Sequence, residues 1–129
     1  FLEAVGANTG MVKLNIDNNQ SVLSSVSSDK FGTTKQISFE EVLERFDKNK
    51  VDIVKMDCEG SEWEILEKVN LWKSVKFITM EYHLGIGNYD HNRITNALEK
   101  IDFQIVSEIE NTNDCNYGIA VAYNKSILI

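Results

Sequence analysis

The sequence has no proline, only two cysteines, and a shortage of positive charge: 13 Lys and Arg against 20 Asp and Glu, a formal net of −7 over 129 residues. An excess of that sign argues against a nucleic-acid backbone or an anionic membrane surface as the main partner, since both reward clustered Lys and Arg. No apolar stretch approaches the roughly 18 residues of a membrane span. Cys58 and Cys115 are too few for a disulfide framework and lack metal-ligand spacing. They read as ordinary thiols of a reducing compartment, which predicts a cytoplasmic protein. Phe1-Leu2-Glu3-Ala4 has neither the basic region nor the apolar run of a signal peptide. The composition is 43% hydrophobic and 26% charged, which is globular and enough for one domain.

Three segments carry the helical period. Phe39, Val42, Leu43 and Phe46 recur at i, i+3, i+4 and i+7, and Ser38 with Glu41 supplies a capping box. A second helix follows Ser61, with Glu64 three residues on and an apolar stripe of Ile65, Leu66 and Val69 reaching toward Trp72. Ile94, Ala97, Leu98 and Ile101 form the third stripe, after a cap at Asp90.

Strand-like runs lie between them. VDIVKMD (51–57) and VKFITMEY (75–82) are short, β-branched and apolar, as parallel strands covered by helices on both faces are. FQIVSEI (103–109) and YGIAVAY (117–123) pair across the turn-rich ENTNDCN stretch, and the wholly apolar last run predicts an interior strand. Before Ser38 the sequence is polar and Ser/Thr-rich; MVKLNI (11–16) alternates with period two, and residues 1–37 read as a β excursion. Residues 38–129 then read as α/β, with parallel core strands closed by a C-terminal antiparallel hairpin.

The chemistry concentrates in Lys55-Met56-Asp57-Cys58-Glu59-Gly60-Ser61-Glu62, where the first apolar strand gives way to a helix. Ligands of parallel α/β sheets bind outside the carboxyl ends of the strands. Alternation puts Lys55 and Asp57 on one face, with Asp57 at the tip and Glu59-Gly60 making the turn. Asp57 and Glu59 are the central candidate acids, and Lys55 is expected to orient Asp57. Glu62 reads as a first-turn acid favoured by the helix dipole. The neighbouring strand ends in Met80-Glu81-Tyr82-His83, so Glu81 and His83 are expected to share a crevice with Asp57. A carboxylate cluster with a histidine can deprotonate a hydroxyl, hold a hard divalent cation or balance a cationic ligand. No residue is assigned to a metal here, and metal dependence stays open. Leu84-Gly85-Ile86-Gly87-Asn88 reads as a mobile lid or an ordinary glycine-bearing loop.

Val5-Gly6-Ala7-Asn8-Thr9-Gly10 imitates a nucleotide-binding glycine loop, but such a loop should open a helix, and here a strand-like run follows. The interval from Gly6 to Asp57 is also too short for two further βα units of about 30 residues each.

ISFEEVLERF and VDIVKMDCEGSEWEIL, followed by FITMEYH, resemble the FkbM family of S-adenosylmethionine-dependent methyltransferases, whose segment runs "sLddll … dviKiDvEGaE..vL" before a strand ending in an acid and often a histidine. The resemblance covers about Ala4 to Tyr123, and KMDCEGSE is its specific core. It implies a Rossmann-like class I methyltransferase sheet, present here in part, from its fourth strand to its seventh. The family's cofactor loop has the form D-x-G-A-N-x-G, and Ala4 stands where its acid belongs. On this reading the chain is the C-terminal part of a larger methyltransferase domain, and the cofactor-binding residues are left unassigned. The implied activity is methyl transfer from S-adenosylmethionine to a hydroxyl of a sugar or secondary metabolite, with Asp57, Glu59, Glu81, His83 and Lys55 in the catalytic roles. The expected partner is a small-molecule or glycan acceptor, with self-association through an exposed sheet edge. Two rival readings are a non-catalytic binding or dimerisation module, and a metal-dependent hydrolase ligating through Asp57, Glu59, Glu81 and His83.

Overall fold

The computed structural model describes residues 2–15, 25–28, 31–46, 51–58, 60–84, 92–110 and 117–127. The expected cap at Asp90, the 85–88 part of the glycine-bearing loop, the 111–116 turn with Cys115, and Glu59 lie outside the described residues. These residues form a mixed α/β structure with two four-stranded sheets.

The first sheet is built from β1 (Ala4–Gly6), β2 (Gly10–Asn15), β3 (Ser25–Ser28) and β4 (Thr34–Ser38), in the order β1-β4-β2-β3. β1 runs parallel to β4, and β2 is antiparallel to both β4 and β3. Glu3 ties this sheet to the next helix through Lys35 at 2.9 Å and Arg45 at 2.8 Å.

α1 (Phe39–Glu44) starts where the sequence predicts. Ser38 Oγ accepts the Glu41 N–H at 3.1 Å, and the Glu41 carboxylate accepts the Ser38 N–H at 2.9 Å, completing the capping box. Phe39 and Leu43 are buried, but the helix ends before Phe46, which is exposed. The apolar period overshoots the helix by two residues.

The second sheet holds β5 (Val51–Met56), β6 (Val75–His83), β7 (Phe103–Glu110) and β8 (Tyr117–Asn124), in the order β5-β6-β8-β7. Parallel pairing is confined to β5 with β6; β8 lies between β6 and β7 and is antiparallel to both. α2 (Glu62–Leu66), a 3-10 helix (Val69–Ser74) and α3 (Asn92–Lys100) connect the strands.

One face of this sheet is the core. Met56, Ile78, Met80, Tyr82, Ala120 and Ala122 form a single buried cluster with Leu43, Ile65, Leu66, Ile94 and Leu98 of the three helices. Trp72 at its centre is fully buried, stacked on Phe39 with centroids 4.9 Å apart and edge-on to Phe103 at 6.1 Å. Asn124 closes the sheet's far end: its Nδ2 donates to the Trp72 and Val75 carbonyls, both at 3.1 Å. Gly118 faces Tyr82 across the β6–β8 ladder, and a Cβ there would come within 2.4 Å of the tyrosine ring. Only glycine leaves room for Tyr82, whose hydroxyl donates to Glu108 at 2.7 Å.

The opposite face departs from the expectation of helices on both sides. Ile53, Phe77 and Ile119 are 62%, 38% and 40% exposed, because the α-helices among the described residues all pack on the other side. No helix among the described residues is long and apolar enough to cross a membrane.

Candidate functional site

The site forms where β5 and β6 end side by side. Their parallel register pairs Lys55 with Thr79 and Met56 with Met80, so the next step brings Asp57 alongside Glu81. Period-two alternation puts His83 on the same face as Glu81. One ligand atom each from Asp57, Glu81 and His83 lie within 4.8 Å of one another. The histidine Nε2 is 3.6 Å from Glu81 Oε1. Asp57 is exposed, while Glu81 and His83 are half-buried.

Glu62 supplies what the first-turn reading did not anticipate. Its side chain is fully buried and turns back into the strand-to-helix connection instead of facing solvent. Gly60 makes that possible with φ of 102°, a conformation that favours glycine. Oε1 of Glu62 accepts the Cys58 and Gly60 N–H groups, each at 3.1 Å, and lies 3.0 Å from His83 Nδ1. Burial pushes the Glu62 carboxyl pKa upward. The bond to His83, with the backbone N–H groups of Glu62 itself and Gly60, outweighs that and holds it below the usual carboxylate range. An ionised Glu62 beside Nδ1 keeps the proton on that nitrogen in the neutral ring and turns Nε2 toward Glu81 as the basic atom. Trp63 fixes the backbone at the same point, its Nε1 donating to the His83 carbonyl at 2.7 Å.

Ser61 makes no side-chain cap, so α2 is held at its start by Glu62 and not by the expected Ser61–Glu64 pattern. Lys55 is exposed and, among the described residues, forms no ion pair with Asp57. Of the five sequence-derived candidates the structure therefore joins Asp57, Glu81 and His83, leaves Lys55 apart, and does not describe Glu59. Sequence reasoning passed over Glu62 as part of the histidine's support. Its signal was present in the Glu-Gly-x-Glu spacing, with a glycine two residues ahead of an acid.

A cavity of about 730 Å³ runs between α1 and β5. Phe39, Val42, Phe46 and Ile53 give it an apolar wall, and Lys55 and Asp57 stand at its polar part. Asp57 is the member of the group that lines this cavity. A buried-carboxylate–histidine pair beside two further carboxylates can orient a hydroxyl and accept its proton.

The glycine-bearing turn at 5–10 does not fit a cradle for S-adenosylmethionine. It joins two strands and opens no helix. The Gln36 side chain fills it, packed within 2.6 Å of where a Gly6 Cβ would stand and donating from Nε2 to the Asn8 carbonyl at 2.7 Å.

Comparison with known proteins agrees with the motif. The chain is 36% identical over 70 residues to the hexuronic acid methyltransferase AglP of Haloferax volcanii, a stretch that is 54% of this chain and 29% of that protein. No solved structure matches at a significant level. The profile of the methyltransferase FkbM domain matches residues 1–105, across the first sheet, KMDCEGSE and the end of β6. The chain belongs to the FkbM methyltransferase domain family.

Proposed function

We propose that this chain forms the acceptor side of an S-adenosylmethionine-dependent O-methyltransferase acting on a hydroxyl of a sugar or secondary metabolite. The observation that carries the reading is the fully buried Glu62 directed at His83, with Asp57 and Glu81 grouped around the same histidine. When bound, S-adenosylmethionine supplies the methyl as an electrophile. Residues outside those assigned here hold it, consistent with a domain of which 1–37 is a β excursion and 38–129 a C-terminal half-sheet of class I type. Insertion of the antiparallel β8 between β6 and β7 supports that class.

This chain's residues act on the acceptor. Asp57 and Glu81 accept hydrogen bonds from its hydroxyls and fix their position. His83 takes the proton of the reacting hydroxyl at Nε2, and Glu62 stabilises the imidazolium that results. The name of the Haloferax volcanii relative supports a sugar acceptor and makes uronosides the first compounds to try. Two cysteines without a disulfide framework support a cytoplasmic setting for that activity.

The test is transfer of labelled methyl from S-adenosylmethionine by the protein containing this chain, over glycosides with and without a carboxylate. His83→Gln should lower kcat about 10²–10⁴-fold, the usual worth of a positioned general base. Asp57→Asn should abolish turnover without unfolding the protein. Full activity in either variant would overturn the assignment.

A further inference from the structure

We infer that Asp57, Glu81 and His83 form a binding site for a divalent cation of the magnesium–manganese class, with Glu62 as the residue that orients the histidine. The three ligands sit on the ends of two hydrogen-bonded strands, so the sheet fixes their backbones. Their ligand atoms already lie within 4.8 Å of one another. An octahedral cation with bonds of about 2.1 Å has neighbouring ligands about 3 Å apart and opposite ones about 4.2 Å apart. Side-chain adjustments of under about 1 Å therefore close the set around one ion.

Glu62 is a separate observation that points the same way. It lies outside the ligand set and is fully buried; Oε1 is 3.0 Å from His83 Nδ1, and Oε2 is buried with no hydrogen-bond partner among the described residues. Oε2 is the one unsatisfied oxygen of an otherwise bonded buried carboxylate, and positive charge reaching the group through the imidazole offsets the cost of burying it. A carboxylate holding the far nitrogen of a histidine is the arrangement that fixes the ring of a metal ligand and raises its basicity. The ligand set itself carries two carboxylates facing one another, and Lys55, the nearby cation on the same strand, pairs with neither among the described residues. Two like charges held this close favour a bound cation.

Two carboxylates and one imidazole, without a thiolate, suit magnesium and manganese, and the nitrogen ligand favours manganese. Three protein ligands leave coordination positions open on the exposed Asp57 side. Insofar as the acceptor reading above holds, the bound ion would take over the direct roles of His83 Nε2, Asp57 and Glu81: an acceptor hydroxyl would occupy an open position and lose its proton to solvent more readily, in place of transfer to Nε2. Binding of the ion itself does not depend on that reading.

The probe is Mn²⁺, titrated into the protein containing this chain and followed by loss of the free-ion electron paramagnetic resonance signal. One Mn²⁺ per chain is expected, displaced by excess Mg²⁺. Asp57→Asn and Glu81→Gln should remove this binding, and Glu62→Gln should weaken it about 10–100-fold with the stoichiometry kept. Far-UV circular dichroism of each variant separates lost ligands from lost folding. Failure of the folded wild type to bind Mn²⁺ at millimolar concentration would overturn the proposal, as would equal binding by Asp57→Asn and Glu81→Gln. Methyl transfer measured in parallel with a chelator distinguishes the two readings. Chelator-resistant turnover without Mn²⁺ binding sinks the cation site and keeps the acceptor site, while Mn²⁺ binding with no methyl transfer does the reverse.

Discussion

Glu62 is the residue whose replacement tests the architecture of the site most sharply, because burial and bonding oppose each other there. Removing a buried carboxylate relieves a desolvation cost, so a well-packed apolar replacement could be neutral or even stabilising. Against this stand three contacts on Oε1, two backbone N–H groups at 3.1 Å and His83 Nδ1 at 3.0 Å. Hydrogen bonds to a charged group contribute about 1.5–3 kcal/mol each, and neutral ones about 0.5–1.5 kcal/mol. Glu62→Gln keeps an acceptor for the two N–H groups but loses the charge, and should cost about 1–2 kcal/mol once cheaper burial of the amide is subtracted. Glu62→Leu leaves both N–H groups and the imidazole without their acceptor. Because these bonds are only part-buried the low end of the penalty applies, and the total should be about 3 kcal/mol. Denaturant unfolding at neutral pH, with chelator present, measures both. Imidazole ¹⁵N shifts should show the Nδ1–H tautomer of His83 in the wild type and a weakened preference in the glutamine variant. A leucine variant as stable as the wild type, or a glutamine variant as costly as leucine, would refute the view that this carboxylate is held by its bonds.

Two further outcomes follow from the charges and edges. Arg45 first, and then Lys35, lower the Glu3 carboxyl pKa from 4.5 to about 2; a depressed folded value means that its stabilisation is complete above pH 4.5 and is lost as the pH falls toward 2. Glu3→Gln should flatten that acid limb in melting curves taken at low salt, and parallel slopes for the two proteins would show that the ion pairs contribute nothing. β5 is an edge strand of the second sheet with Ile53 62% exposed beside it, so concentration-dependent self-association is expected in sedimentation, and Ile53→Lys should suppress it. A wild-type chain monomeric at every concentration would count against the open edge.

What could be read from the sequence, and what could not, divides along a physical line. The capping box at Ser38 and Glu41 is written in residues three apart, and the structure forms it as spelled. The meeting of Asp57 with Glu81 and His83 follows from period-two alternation on two adjacent strands, where the backbone alone carries side chains to one face. β1 escaped because three residues, Ala-Val-Gly, hold no period at all. Phe46 fitted the helical period and still faces solvent, since periodicity cannot say that the helix stops at Glu44. The open sheet face was hidden for a related reason: apolar runs predict burial on both sides, but which side the helices take is set by connections of tertiary origin. Glu62 is the instructive case. A first-turn acid facing solvent and one folded back under the strand end are the same letter at the same spacing; the difference lies in a single positive φ at Gly60 and in where His83 comes to rest 21 residues later. Function at this strand end was legible where chemistry rides on backbone regularity. It became illegible where a side chain leaves its own element to complete another residue's.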